Sequence, residues 1–537
     1  MTARRSLLAT LATLAACSEQ PSRQFNTGDA RAPSQDIVAA DVPAPDVVTP
    51  EDRFDPLADR QAVRNNRDLF IAVPPTSADR FGGEVTTANA PSIVYPEDGT
   101  ILPPNLPLFE VHFLPGAGND LFEVSFTGPV TNVRVYTRCN RVAEGCVLSL
   151  PETLFAEVGN AGRQSGGVEL SIRATRDGGG PVSRTPTQRL GVTRTDLRGG
   201  VYWWVSSGSI VRYDFGLPNA RSEMFIQGNA FNCVGCHALA RDGSRIAVGR
   251  FIPAPAPTAI FNTLTREQTH PNPFGNNFGT FSPDNRLFLA SDGMRMTLLN
   301  AMTIAEAPGL EANQRAGTMP DWSPSGGDVV FARPRTVLPL PVGSPGHDGP
   351  TDLFLMGWNG SAFAAPRALI TSNGENNYYP AFSPDGNWVI FNRANGGSSS
   401  NPNAQLWAVR SGGGEPGRLA RADGPDGAGN SWPKWTPFVE EFGGEVTENL
   451  LWLTFTSHRP YGLRIRERRA QLWMAAFRPG MNGPDPSAPA FWVPFQSITE
   501  GNHIAQWVNN IQRQTCGTGM CANGEQCING RCVAPPP

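Results

Sequence analysis

No segment of this sequence carries the roughly 20 consecutive apolar residues that a bilayer-spanning helix requires, so none reads as a transmembrane span. Basic residues are not in excess either. The formal net charge is −4, which leaves nothing to neutralise a phosphate backbone and argues against nucleic acid as a partner. Histidine occurs six times, too sparsely for a multi-histidine zinc enzyme. No Gly-x-Ser-x-Gly elbow, phosphate loop or dinucleotide fingerprint occurs, and no α/β pattern follows the strand-rich region. The sequence therefore points to no enzyme class.

Glycine and proline are abundant instead. The 57 glycines and 50 prolines make up about a fifth of the 537 residues, which favours many short strands joined by tight turns. The N-terminus has the form of a targeting segment, with Arg4 and Arg5 ahead of a short apolar stretch, Ser6 to Ala16. Leu14-Ala15-Ala16-Cys17 resembles the lipobox of bacterial lipoproteins, which implies cleavage before Cys17 and its lipidation. Ser18, not Asp, follows, which favours the outer membrane. The expectation is an exported protein facing the periplasm or cell surface, tied to the membrane by lipid alone. Residues 18–60 are rich in Pro, Asp and Ala without periodicity and read as a disordered tether.

Residues 88–198 contain short segments in which apolar and polar residues alternate, such as Leu108–Phe113, Leu121–Phe126 and Val168–Arg173. That density of strands suggests an immunoglobulin- or fibronectin-like sandwich. Cys139 and Cys146 lie close enough to staple one loop. Residues 512–537 carry Cys516, Cys521, Cys527 and Cys532 among glycines, a disulfide-stabilised module whose pairing the spacing leaves open.

Residues 200–509 contain a repeat. Phe281-Ser-Pro-Asp-Asn285, Trp322-Ser-Pro-Ser-Gly326 and Phe382-Ser-Pro-Asp-Gly386 each precede an apolar strand, and weaker copies stand at Leu239–Gly243, Trp435–Pro437 and His503–Trp507. A second apolar strand follows several of them, as at Asp352–Met356, Gln405–Val409 and Gln471–Ala475. These motifs resemble the repeats of TolB-like and WD-type β-propellers. The resemblance implies an all-β ring of six blades, with Val201–Val205 supplying the strand that closes it. The Asp residues of these turns are expected to stabilise the turns.

One constellation carries chemistry. Cys233-Val-Gly-Cys236-His237 matches C-x-x-C-H, the attachment signature of c-type cytochromes. Two intervening residues space the thiols for the two vinyl groups on one porphyrin edge, and the next residue brings an imidazole under the iron. The expectation is one covalent haem c, held by Cys233 and Cys236 with His237 as proximal ligand. A disulfide, a thioredoxin-like redox pair and half a zinc site are the other readings of the two cysteines. A helical cytochrome domain is absent, because a blade turn begins within six residues. Met224, Met294, Met296, Met319, His270, His458 and His503 are candidates for the distal ligand, and Met319 is preferred for its place at a blade entrance. His112 and His347 are poor candidates. The haem reading implies electron transfer or redox sensing with an envelope partner. The alternative is a non-catalytic scaffold that binds an envelope protein or polysaccharide, with Cys233–Cys236 as a crosslink.

Overall fold

Each Ser-Pro-x-x turn closes a hairpin by the same hydrogen bonds. The hydroxyls of Ser282, Ser323 and Ser383 accept from the backbone N–H of Leu287, Asp328 and Trp388, all at 3.0 Å. Asp284 and Asp385 also accept from backbone N–H groups inside their own turns. The turn then needs a left-handed residue, which Gly326 and Gly386 supply without strain and Asn285 supplies at φ 59°. These aspartates are occupied with turn geometry, as expected.

The computed structural model describes residues 65–217, 220–228, 234–250, 259–271, 278–335, 349–398, 401–481, 483–513, 515–516, 519–521, 526–528 and 531–533. Cys17, the 18–60 tether, Cys233 and His347 lie outside the described residues.

From residue 200 onward the strands form small antiparallel sheets in chain order, such as Val234–Leu239, Arg245–Arg250, Ala259–Asn262 and Gln268–Pro271. The innermost strand of each group packs against the innermost strand of the next, and two groups, residues 318–370 and 376–418, are joined into one sheet by a single pairing of Thr351 with Asn376. This cycle runs Val234–Leu239, Phe278–Phe281, Thr318–Trp322, Asn376–Phe382, Ser431–Phe442 and Asn502–Val508, and the last returns to Val234–Leu239. Closure is made by chain ends. Asn502–Val508 pairs antiparallel with Gly200–Val205, so one sheet combines the beginning and the end of the ring. This is a β-propeller. The C-terminal tail is then pinned to that sheet by Arg513, which bonds Asp214 at 2.6 Å and Glu223 at 3.0 Å.

The N-terminal unit consists mainly of two sheets, with Leu108–Leu114 and Gly145–Pro151 in one and Leu121–Thr127, Thr131–Arg138 and Gly167–Thr175 in the other. It begins earlier than residue 88, because Asn65–Ile71 pairs in parallel with Thr131–Arg138. It also contains an α-helix, Glu152–Ser165, where only strands were expected. The helix buries Phe155 and Val158, together with Gly159 and Gly162. A Cβ at Gly159 would stand 2.7 Å from the Pro104 carbonyl oxygen, so the glycine permits close approach. Cys139 and Cys146 form a disulfide across seven positions. Replacing both with Ser should lower stability by about 2 kcal/mol through loop entropy, read as a lower denaturant midpoint. In the C-terminal module Cys521 pairs with Cys532, and Cys516 is also disulfide-bonded. The Cys527 side chain lies outside what is described.

The two parts share one hydrophobic cluster, running from Phe109 and Val111 to Trp452, Trp473 and Phe477. A buried polar knot crosses the same junction. Glu110 accepts from Tyr461 Oη at 2.8 Å, Arg464 at 2.7 and 2.6 Å, and Ser149 at 2.7 Å. His112 Nε2 lies 3.1 Å from Glu110, and its Nδ1 accepts from the backbone N–H of Leu463 at 3.2 Å. That acceptor role puts the ring proton on Nε2, toward the carboxylate.

Candidate functional site

The innermost strands repeat one irregularity. Pairing skips two residues between Thr318 and Asp321, between Tyr378 and Ala381, and between Ser431 and Lys434. At each skip a non-glycine residue takes a left-handed conformation: Met319 at φ 53°, Tyr379 at 51° and Trp432 at 54°. Such a backbone costs about 1–2 kcal/mol per residue, and Pro320, Pro380 and Pro433 follow. The closing strand does the same at Ile504, φ 57°.

Val234–Leu239 carries the equivalent bulge, with pairing that jumps from Val234 to His237. Gly235-Cys236-His237-Ala238 is thus the counterpart of Met319-Pro-Asp-Trp322, Tyr379-Pro-Ala-Phe382 and Trp432-Pro-Lys-Trp435. Cys236 stands where the others have proline. His237 stands where they have Asp321, Ala381 and Lys434, beside the ring axis.

These bulges converge on a cavity of about 40 Å³, lined by Cys236, His237, Phe278, Met319, Tyr379, Trp432, Lys434 and Gln506 among others. Tyr379 and Trp432 stack at 3.8 Å between centroids, with Phe278 5.7 Å from Trp432. Lys434, the one lysine in the sequence, reaches across to Asp321 at 2.9 Å, and Asp321 also accepts from the Phe382 N–H at 2.8 Å.

His237 is only 5% exposed, yet neither ring nitrogen has a hydrogen-bond partner among the described residues. Burial pushes its pKa down to about 4. The carbonyls of Tyr202 and Gly235 approach the ring and offset part of that shift, without reaching hydrogen-bond geometry, while the Lys434 charge adds to it. The imidazole is therefore neutral at pH 7, with a lone pair to offer. Cys236 is a free, buried thiol whose pKa burial pushes up to about 12. Cys236 is thus in no disulfide, in contrast to the crosslink of the alternative reading, and its side chain belongs to the same buried cluster as Phe278, Met319 and Tyr379.

The remaining ligand candidates separate cleanly. Met319 shares the His237 cavity, where its sulfur accepts from the Tyr379 N–H at 3.3 Å. Met296 is core, packed with Leu298 and Trp322, whereas Met224 sits exposed on an outer strand. His458 and His503 face each other at 6.2 Å and are not part of this cavity. Met294 lies in the turn after Leu287–Ser291, and the His270 side chain is outside what is described. The ion pair Lys434–Asp321 had no signal as a pair, but the Pro-x-aromatic segment before three of the four Ser/Thr-Pro turns marks the bulge in the sequence, and the fourth, Gly279-Thr280-Phe281, lacks both the proline and the bulge.

The ring and its cavity define a β-propeller whose inner strands bring a few polar groups, His237, Lys434 and Gln506, against an aromatic wall. No protein-family model and no curated protein matches the chain. Among solved structures, a putative TolB from Agrobacterium tumefaciens aligns at 16% identity and TM-score 0.33, over 58% of this chain and 99% of its own. Hydrazine synthase from Kuenenia stuttgartiensis aligns at 10% and 0.32, over 47% and 71%. A chain of a nidogen/laminin complex aligns at 9% and 0.34, over 56% and 99%. Likeness at this level carries no weight of its own. The ring rests on its strand pairing.

Proposed function

We propose that this chain is a lipid-anchored, monohaem β-propeller of the cell envelope. Its six blades are of the TolB-like kind and follow an immunoglobulin-like sandwich. Cys233 and Cys236 would hold the porphyrin and His237 its iron, with Met319 the distal candidate. The observation that carries this reading is the buried imidazole of His237, with neither nitrogen hydrogen-bonded among the described residues, in a cavity that also holds the Met319 thioether. Buried polar groups are almost always paired, and leaving one unpaired costs about 1–3 kcal/mol. An imidazole and a thioether are the donor set of electron-transfer cytochromes c.

The donors fit a haem; the enclosed space does not. About 40 Å³ takes a water molecule, so seating a porphyrin requires Phe278, Tyr379 and Trp432 to part. Bound haem would supply one-electron chemistry; the chain's share is a neutral imidazole, an aromatic wall and the Lys434–Asp321 pair beside it. The closed wall favours a second reading, a non-catalytic scaffold that binds an envelope protein or polysaccharide.

Expression with the c-haem maturation machinery distinguishes the two. On a denaturing gel the mature protein should stain for haem peroxidase, with a mass above that of lipidated polypeptide by one haem, and Cys236→Ala should lose the stain. A colourless protein of bare mass leaves the scaffold.

A further inference from the structure

A second, larger cavity opens where the N-terminal unit meets the ring. It is a cleft of about 810 Å³, within the 300–1,000 Å³ typical of ligand sites and at the kind of domain junction where they concentrate. Arg189 projects from the N-terminal side, and Arg421 and Arg478 from the ring side.

The three guanidiniums differ in how they are held. Arg478 is bound by Glu448 at 2.6 Å and lies over the Phe442 ring, 5.3 Å from its centroid, so it forms a fixed floor. Arg189 and Arg421 are exposed, and neither side chain has a carboxylate partner among the described residues. Asp98 and Asp485 meet these two residues through backbone, Asp98 accepting from the Arg189 N–H at 2.7 Å and Asp485 from the Arg421 N–H at 2.8 Å. Gly99 leaves room for Arg421, because a Cβ there would stand 2.8 Å from its Nη2. Glu169 is the one carboxylate lining the cleft. A protein of net charge −4 thus gathers two uncommitted guanidiniums, one from each of the two parts that meet there, along one cleft.

We propose that this cleft binds an organic anion bearing two or more carboxylate or phosphate groups, held by Arg189 and Arg421. Guanidinium forks match both groups bidentately, and a cleft this large calls for a ligand of oligosaccharide size. The half-buried Phe442 ring offers the ligand's apolar face a surface. The site is independent of the haem reading.

The test is calorimetric titration of the full-length protein with trigalacturonate, inositol hexakisphosphate and neutral maltotriose. At least one anion should bind, more weakly as salt rises, and the neutral sugar should not. Which anion binds tells carboxylate from phosphate. Arg189→Glu and Arg421→Glu should each weaken binding about tenfold, with an unchanged thermal midpoint because both side chains are at the surface. Absence of binding by both anions at millimolar concentration, equal binding of maltotriose, or undiminished binding by the double variant overturns the proposal.

Discussion

A chain that stops at Glu500 is expected to lose the cooperative unfolding transition and to be digested rapidly from residue 200 onward. Removing Asn502–Val508 takes away the inner strand of the sheet that closes the ring. It strips buried Ile504, Trp507 and Val508 from the core and the Trp507 indole from Thr454 Oγ1, 3.0 Å away. Burial of such side chains contributes about 1.5–3 kcal/mol each. With the lost strand pairing, the total is comparable with the 5–15 kcal/mol that stabilises a typical domain. Limited proteolysis and a thermal scan of the two lengths read this directly. An unchanged midpoint would place closure elsewhere.

The second large effect is expected at Glu110. Glu110→Ala leaves Arg464, Tyr461 and His112 without their shared acceptor at a buried junction, which should cost about 3–5 kcal/mol. The same group makes stability depend on acid. Burial alone would raise the Glu110 pKa, but hydrogen bonds from His112, Arg464 and Ser149 and the Arg464 charge outweigh it and hold the carboxyl well below its usual range. Its contribution is complete above the unfolded value near 4.3 and is lost as pH falls toward the folded one. His112 acts in the same direction from higher pH. Burial lowers its pKa despite Glu110, so below about 6.5 the unfolded chain takes up a proton that the folded chain refuses. The unfolding midpoint should therefore drop steadily from pH 7 to pH 3, and Glu110→Gln should flatten the lower part of that slope.

The propeller was legible in the sequence because its turns are local. A Ser-Pro-Asp-Gly hairpin is specified by four neighbouring residues, and the apolar strand after it by simple alternation. The helix Glu152–Ser165 was hidden because Gly159 and Gly162 occupy its inner face, so the helical period is marked by contact with Pro104 and Val192, not by large side chains. The candidate site was half legible. Cys236 and His237 stood out as a five-residue motif, and Met319 as a blade-entrance residue. What the sequence could not convey is that the bulges at 235–236, 319–320, 379–380 and 432–433 superimpose around an axis. That alignment puts His237 in the same circle as Asp321 and Lys434, some 80 to 200 positions away.

The join between Gly200–Val205 and Asn502–Val508 also sets a schedule for the newborn chain. Roughly 300 residues separate the two strands, so the first of them waits for nearly the whole ring to be delivered before its partner arrives. Throughout that interval Gly200–Val205 has an open edge, of the kind that recruits wrong partners. Arrival of Asn502–Val508 is therefore the event that covers this edge.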